Sequence, residues 1–215
     1  SSAAIYGKNN NLPISETDLV NPISPYAETK LKSEKLLQQV SLRDKEWSII
    51  SIRYFNPAGA HSSYLIGENP KTSAKNIFPS LGEVAGKQDQ FFQIFGDDYN
   101  TPDGTAIRDY IHVSDLADIH LEVAKYLIEK LESNLFNCGY GNGFSVLDVV
   151  NTANKICQSK INYKFSERRD GDVEKLIAET SKISRHIQWQ PKYNDLEEII
   201  NSSIKWEQKI NARNS

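Results

Sequence analysis

Between Ser48 and Phe55 the chain reads Ser-Ile-Ile-Ser-Ile-Arg-Tyr-Phe and then breaks at Asn56-Pro57. Ile49, Ile50 and Ile52 are β-branched, and their restricted χ1 suits a pleated backbone better than a helix. Adjacent positions on a strand point to opposite faces, so Ile49 and Ile50 require cover on both sides. A strand covered on both sides belongs inside a parallel sheet flanked by helices. The Asn-Pro break then sets a ligand-facing loop at its carboxyl end. This stretch commits the chain to an α/β architecture.

The segment before it supplies the flanking helix. In Ser24-Pro25-Tyr26-Ala27-Glu28-Thr29-Lys30, Ser24 suits an N-cap and Pro25 the first helical position, where a missing N–H costs nothing. The helix from Tyr26 to about Val40 carries Ala27, Leu31, Leu36, Leu37 and Val40 inward. Residues four apart share a helix face, which brings the Lys30 ammonium near the Tyr26 phenol. A free tyrosine has a pKa of about 10, and a cation in hydrogen-bonding range lowers it by roughly 1–3 units, toward a usable general base.

Further elements follow from pattern. Ala3–Tyr6 reads as the end of a buried strand that delivers Ser2 to its carboxyl tip, and residues 8–23 as a polar loop. An irregular loop is expected over 62–75, a helix presenting Ile77, Leu81, Val84 and Ala85, a short strand over Gln90–Phe95, and a turn-rich loop over Gly96–Gly104. A long helix from about Ser114 puts Leu116, His120, Val123, Leu127 and Leu131 in register. The helix after Ser145 presents Val146, Val149, Val150, Ala153 and Cys157, and a last one, from Asp195 to about Lys209, presents Leu196, Ile199, Ile200 and Ile204. The glycines of Gly139-Tyr140-Gly141-Asn142-Gly143 do not have the G-x-G-x-x-G spacing of a dinucleotide turn. They predict a tight strand-to-helix turn, with Ser145 as N-cap and Asp148 completing an approximate capping box.

Composition narrows the function classes. With 25% charged residues the chain is not a disordered one, and a net charge of −3 gives no pull toward nucleic acid or an anionic membrane. Phosphate ligands would need local arginines. No run approaches the ~18–20 apolar residues of a transmembrane helix. The two cysteines, Cys138 and Cys157, lack metal-ligand spacing and read as buried thiols in a reducing cytoplasm.

Three stretches in order, Ser1-Ser2-Ala3-Ala4-Ile5-Tyr6-Gly7, the Tyr26-x-x-x-Lys30 pair and Ile52-Arg53-Tyr54-Phe55-Asn56-Pro57-Ala58-Gly59-Ala60-His61, resemble the extended short-chain dehydrogenase/reductase superfamily. Within it the chain is most similar to the UDP-glucose 4-epimerases. The similarity continues through Ile94-Phe95-Gly96, the run from Arg108 to Ala117, Ser145–Val150 and Arg168–Asp172, to about Gln208. It implies the later part of a Rossmann-like NAD-binding domain over 1–56 and a smaller mixed α/β substrate domain mainly over 57–210. About 104–128 would pack back on the first part, and 211–215 would form a tail. It also implies NAD-dependent interconversion of UDP-galactose and UDP-glucose through a 4-keto sugar, by a homodimer. The Gly-rich cofactor turn of such enzymes is not found in this sequence, which opens on the serine motif, so an N-terminally truncated chain, inactive by itself, is expected.

By the same resemblance Tyr26 is the base, Lys30 lowers its pKa and holds the cofactor ribose, Ser2 bonds the 4-oxygen, and Tyr54 lines the nicotinamide site. Arg108 and Arg169 contact the diphosphate, Asp172 the uridine ribose, and Asn56 sugar or phosphate. Asn76 and Ile77 close over the diphosphate, Gln93 and Phe95 belong to the uracil-binding strand, and Leu176 limits bulk on sugar carbon 2. His61 and His112 are read as structural. A 4,6-dehydratase or decarboxylase of the same superfamily, and a non-catalytic UDP-sugar-binding remnant, are the alternatives. A dehydratase needs acids just after the upstream serine, where Ala3 and Ala4 stand.

Overall fold

The computed structural model describes residues 1–9, 11–70, 76–85, 89–157 and 160–214. The β-branched stretch forms β1 (Ile50–Tyr54), which pairs in parallel with β6 (Asn134–Cys138), while Ser2 bridges Tyr54 from the other side. The carboxyl tip of β1 is therefore an inner position. Ile52 from β1 and Phe136 from β6 pack with Ile119 and Val123 of α3 (Val113–Lys130) and Ile183 of α5 (Ser181–His186). The preceding helix, α1 (Pro25–Arg43), is capped by Ser24, whose hydroxyl accepts from the Ala27 N–H at 3.2 Å.

A second core lies beyond the Asn-Pro break. There β2 (Asn56–Ala58) pairs with β5 (Tyr110–His112), and β3 (Phe92–Phe95) with β8 (Tyr163–Ser166), both in parallel. Between them β4 (Ile107–Arg108) runs antiparallel to β7 (Phe144–Ser145) and parallel to β9 (Lys175–Leu176). Helices α2 (Ile77–Val84), α4 (Val146–Cys157) and α6 (Leu196–Asn214) bury Phe78, Leu81, Val149, Val150, Ile199 and Ile200 against these strands. The capping box before α4 is complete: the Ser145 N–H donates to Asp148 Oδ2 at 2.9 Å, and the Asp148 N–H donates to Ser145 Oγ at 2.9 Å.

Several expectations are corrected. Ala3–Tyr6 is a 3₁₀ turn, not a strand end: Ser2 Oγ accepts the Ala4 N–H, and Gly7, at φ +59°, turns the chain away. The strand ends at Ser2 itself. In the loop over 8–23, Ile14 is fully buried and bridges Ala178. Of the apolar face expected for α1, only Ala27 is buried, while Leu36 is 61% and Leu37 43% exposed. The buried stripe of α3 is Asp115, Ile119 and Val123; it shares Val123 with the expected one but puts Asp115 and Ile119 where Leu116 and His120 were expected, and Leu131 ends the helix at φ +53°, 72% exposed. Asp115 is drawn inward because its carboxylate accepts the N–H groups of Lys192 and Tyr193 and the Tyr140 hydroxyl. The last helix continues to Asn214, through positions assigned to the tail. Positions 71–75 of the loop expected over 62–75, and Ser215, lie outside the described residues.

The glycine turn after β6 closes on a carboxylate of the chain's own. Asp109 accepts the N–H of Tyr140 at 2.8 Å, of Gly141 at 2.8 Å and of Ala178 at 3.1 Å. A Cβ on Gly139 would stand 2.5 Å from Asp109 Oδ2, so this approach needs glycine. Burial outweighs the three N–H donors and raises Asp109 to about 6. The folded chain thus binds this proton more tightly than the unfolded one, and the stability it contributes is lost as pH rises through the raised pKa. Against Asp109→Asn, wild-type unfolding free energy is expected to drop by about 2 kcal/mol between about pH 4 and about pH 6.5. Parallel stability curves from denaturant titrations would rule this out.

Candidate functional site

The amino end of β2, strand β3, the carboxyl end of β4, the start of α2 and the turn before β9 converge on a cavity of ≈ 410 Å³. Its walls bring together Asn56, Asn76, Ile77, Gln93, Phe95, Arg108, Arg169 and Asp172, residues scattered over the sequence but singled out from it. Each position has a local reason. Asn56 opens β2, its N–H fixed on the Asp109 carbonyl at 3.0 Å. Gln93 and Phe95 alternate on one face of β3, while Phe92 and Ile94 fill the core behind. Arg169 and Asp172 flank a turn at Gly171, whose φ of +80° suits glycine.

Charge is arranged around the two arginines. Arg108 places Nη2 3.6 Å from Asp172 Oδ1 and donates from Nη1 to the Ile107 carbonyl at 2.9 Å. The Arg169 guanidinium lies over the Phe95 ring, 3.8 Å from its centroid, which holds the fork flat beside the cavity. Two guanidinium groups next to a half-exposed aspartate suit a ligand with an anionic middle and hydroxyl groups nearby. Asn56 Oδ1 is a buried acceptor with no partner among the described residues. Such an atom calls for a ligand donor.

A smaller cavity of ≈ 180 Å³ adjoins the first and shares Asn56, Arg108 and Asp172 with it. Ser2, Ser24 and Leu176 line it, so the amino end of α1 faces this space. Leu176 is held by register, opposite Arg108 in the β4–β9 pair, and is 8% exposed. Tyr26 and Lys30 stand outside its lining: Tyr26 is 55% exposed, with Lys30 Nζ 5.4 Å from its ring centroid. Tyr54 follows another path, its hydroxyl meeting His120 Nε2 at 2.6 Å. Burial first, then Cys138, raises its pKa. The structure thus gathers the residues expected to hold substrate, puts Ser2 beside them, and leaves the Tyr-Lys pair open at the rim.

Some residues of the site went unnoticed in the sequence. Tyr110 and Val146 line the larger cavity, and Phe91 stands at its edge, 52% exposed. Tyr110 was legible in principle, because it lies two residues from Arg108, across the break between β4 and β5. A third space of ≈ 540 Å³ opens behind Asn56 and Asn76 and is walled by Trp206 and Glu207. Asn76 Nδ2 donates to Glu68 Oε1 at 2.6 Å on that side. Both histidines read as structural lie apart from the arginines. His112 is buried, stacked on Tyr193 and capping α3, and His61 bonds Ser63.

The family model described as GDP-mannose 4,6 dehydratase matches residues 1–202. The chain belongs to that family. Within it, the chain is 39% identical over 208 residues to UDP-glucose 4-epimerase of Bacillus subtilis, covering 96% of this chain and 61% of the relative. It is 40% identical over 210 residues to that of Bifidobacterium longum, covering 97% and 61%. A crystal structure of UDP-glucose-4-epimerase from Stenotrophomonas maltophila with bound NAD and formylated UDP-arabinopyranose superposes with a TM-score of 0.95 at 36% identity, covering 100% of this chain and 63% of that one. The Bifidobacterium longum enzyme in complex with NAD+ and UDP gives 0.89 at 38% identity, covering 97% and 62%. The likeness to UDP-glucose 4-epimerases read from the sequence, and the Rossmann-like α/β fold it implied, therefore hold. The chain spans less than two thirds of these relatives' length. Among the described residues no helix is long and apolar enough to cross a membrane.

Glu207, nearly buried on α6, has its pKa raised to about 7 by burial and by the charges of Glu83 and Glu68. A raised carboxyl favours the folded state at low pH and loses that contribution as pH climbs toward its folded pKa. Glu207→Gln is expected to raise Tm by roughly 2–8 °C at about pH 8 and to have little effect at about pH 4. Scanning calorimetry at both pH values decides it; equal shifts would be the contrary result.

Proposed function

We propose that this chain carries the substrate side of an NAD-dependent UDP-glucose 4-epimerase, which interconverts UDP-galactose and UDP-glucose. The observation that carries the reading is the ≈ 410 Å³ cavity, where Arg108 and Arg169 stand beside Asp172, Asn56 and the Phe95 strand. A nucleoside diphosphate matches it piece by piece. The guanidinium forks take the phosphates, Asp172 the ribose hydroxyls, Gln93 and Phe95 the base, and Asn76 with Ile77 the near side of the diphosphate. Leu176 and Ser2, in the adjoining ≈ 180 Å³ space, take the sugar.

The Tyr26 phenol oxygen takes the proton of the sugar 4-hydroxyl and later returns it to the 4-oxygen. Lys30, on the same helix face, holds the cofactor ribose. The Ser2 hydroxyl donates to the 4-oxygen when it is a ketone and accepts from it when it is an alcohol. NAD, when bound, supplies the acceptor and donor of hydride at sugar carbon 4. The exposure of Tyr26 and the cation beside it fit a ribose arriving at the rim, with Tyr54 toward the nicotinamide. Elimination by a 4,6-dehydratase lacks its acid, since Ala3 and Ala4 follow Ser2 in the 3₁₀ turn. The reading extends to a homodimer, supported by the uncovered Leu36 and Leu37 of α1, and to a cytoplasmic enzyme, supported by free Cys138 and Cys157.

Calorimetric titration of the purified chain with UDP-galactose and, separately, with NAD tests the assignment. Saturable UDP-galactose binding that weakens by about 10–100-fold in Arg169→Ala is expected. A folded chain without affinity for UDP-galactose refutes it. In any preparation that interconverts the two sugars, Tyr26→Phe is expected to lower kcat by about 10²-fold or more while UDP-sugar affinity stays within about twofold. Unchanged turnover would remove Tyr26 from the mechanism.

A further inference from the structure

The ≈ 540 Å³ cavity behind Asn56 and Asn76 is walled mainly by Ile66, Ile77, Phe78, Val113 and Trp206, and neither the motifs nor the comparisons give it a role. Two polar groups interrupt that apolar wall. Ser114 Oγ is a buried hydroxyl with no partner among the described residues. Glu207, 8% exposed, likewise has no hydrogen-bond donor and no cation among them, and it forms no part of the ≈ 410 Å³ cavity. Its stem is fixed. A Cβ on Gly82 would stand 2.3 Å from Glu207 Cγ, so α6 lies directly on α2 there and the carboxyl end is what meets the cavity. A buried carboxyl without a donor is costly, and the cost shows in a pKa raised to about 7, by burial first and then by the charges of Glu83 and Glu68.

We propose that this cavity is a second ligand site, one that takes a small apolar amine, with the hydrocarbon body against Phe78 and Trp206 and the ammonium on the Glu207 carboxylate. It stands on this lining alone and does not depend on the UDP-sugar reading. Complementarity decides the charge of the ligand. Glu207, Glu83 and Glu68 give this end of the cavity a negative potential, which repels an anion and draws a cation. A bare metal ion is a poor match, because the described residues hold no group of three or more metal-ligating side chains. An ammonium asks for less: its N–H donors can be received by one carboxylate and a hydroxyl. Size and lining decide the body. Small-molecule cavities are mostly apolar and about 300–1,000 Å³, and an apolar wall around the ion pair keeps water from weakening it.

Tryptamine, tryptophol and indole-3-acetate share an indole ring and carry a cationic, a neutral and an anionic short side chain, so the series isolates the charge. In calorimetric titrations of the purified chain at about pH 8, above the Glu207 pKa, tryptamine is expected to saturate and to bind about 10–100-fold more tightly than tryptophol, with indole-3-acetate weakest. Glu207→Gln keeps the shape of the wall and should bring tryptamine down to the level of tryptophol. Ala117, exposed on α3, lines the same cavity, and Ala117→Phe should weaken both ligands by about tenfold by filling it. Folded wild type that binds tryptamine no more tightly than tryptophol, or not at all, overturns the proposal. Unchanged tryptamine affinity in Glu207→Gln overturns it as well, and unchanged affinity in Ala117→Phe does so by placing the binding elsewhere.

Discussion

The Asp109 carboxylate is the point on which the site is assembled. It is buried, and its oxygens accept from the turn after β6 and from Ala178 just past β9, while its own N–H and carbonyl bond Leu176 and Asn56. One residue thereby ties three segments far apart in sequence to its own. Its neighbours inherit the precision: Arg108 precedes it, Tyr110 follows it, and Asn56 and Leu176 are held by its backbone. Ionising a buried carboxyl is unfavourable, and three N–H donors offset only part of that cost here. Gly139, in the strand-to-helix turn, is what lets this carboxylate approach.

The elements that repeat were legible in the sequence. β1 showed in its β-branched residues, α4 and α6 in their periods, and the cap of α1 in Ser24-Pro25. The cavity was legible too, though by resemblance rather than pattern: nothing in spacing alone says that Arg108, Arg169 and Asn56 meet. What escaped depends on partners distant in the chain. Ile14 in a polar loop is buried because Ala178 pairs with it, and the α3 stripe turns inward on Asp115 because Lys192 and Tyr193 donate to it. For α1 the pattern gave an apolar face and the structure leaves much of it uncovered. Periodicity reports where apolar side chains stand on a helix, not whether anything packs on them.

A second buried network anchors α1 itself. Arg53, on β1, donates to the Glu34 carboxylate of α1 and, at 2.7 Å, to the Tyr6 hydroxyl, which donates to Asn137 Oδ1 at 2.7 Å. Every member has a partner, the condition under which buried charge is tolerated. The helix that carries Tyr26 and Lys30 is thus referenced to the strand that ends at Tyr54, and through the Tyr54 bridge to Ser2. Burial of a few polar groups does for the Ser-Tyr-Lys set what an apolar face does for α6.

The two adjoining cavities share Asn56, Arg108 and Asp172 and nothing else of the lining. A molecule filling both must thread a polar waist with its charge pinned there, and its two ends then lie in rooms built by different segments. Gln93 and Phe95 can change without moving Ser2, and Leu176 can change without moving Gln93 or Phe95. The waist makes the site modular. Drift in one room alters which end group fits there while the other keeps its grip, so the two halves can change by single substitutions independently.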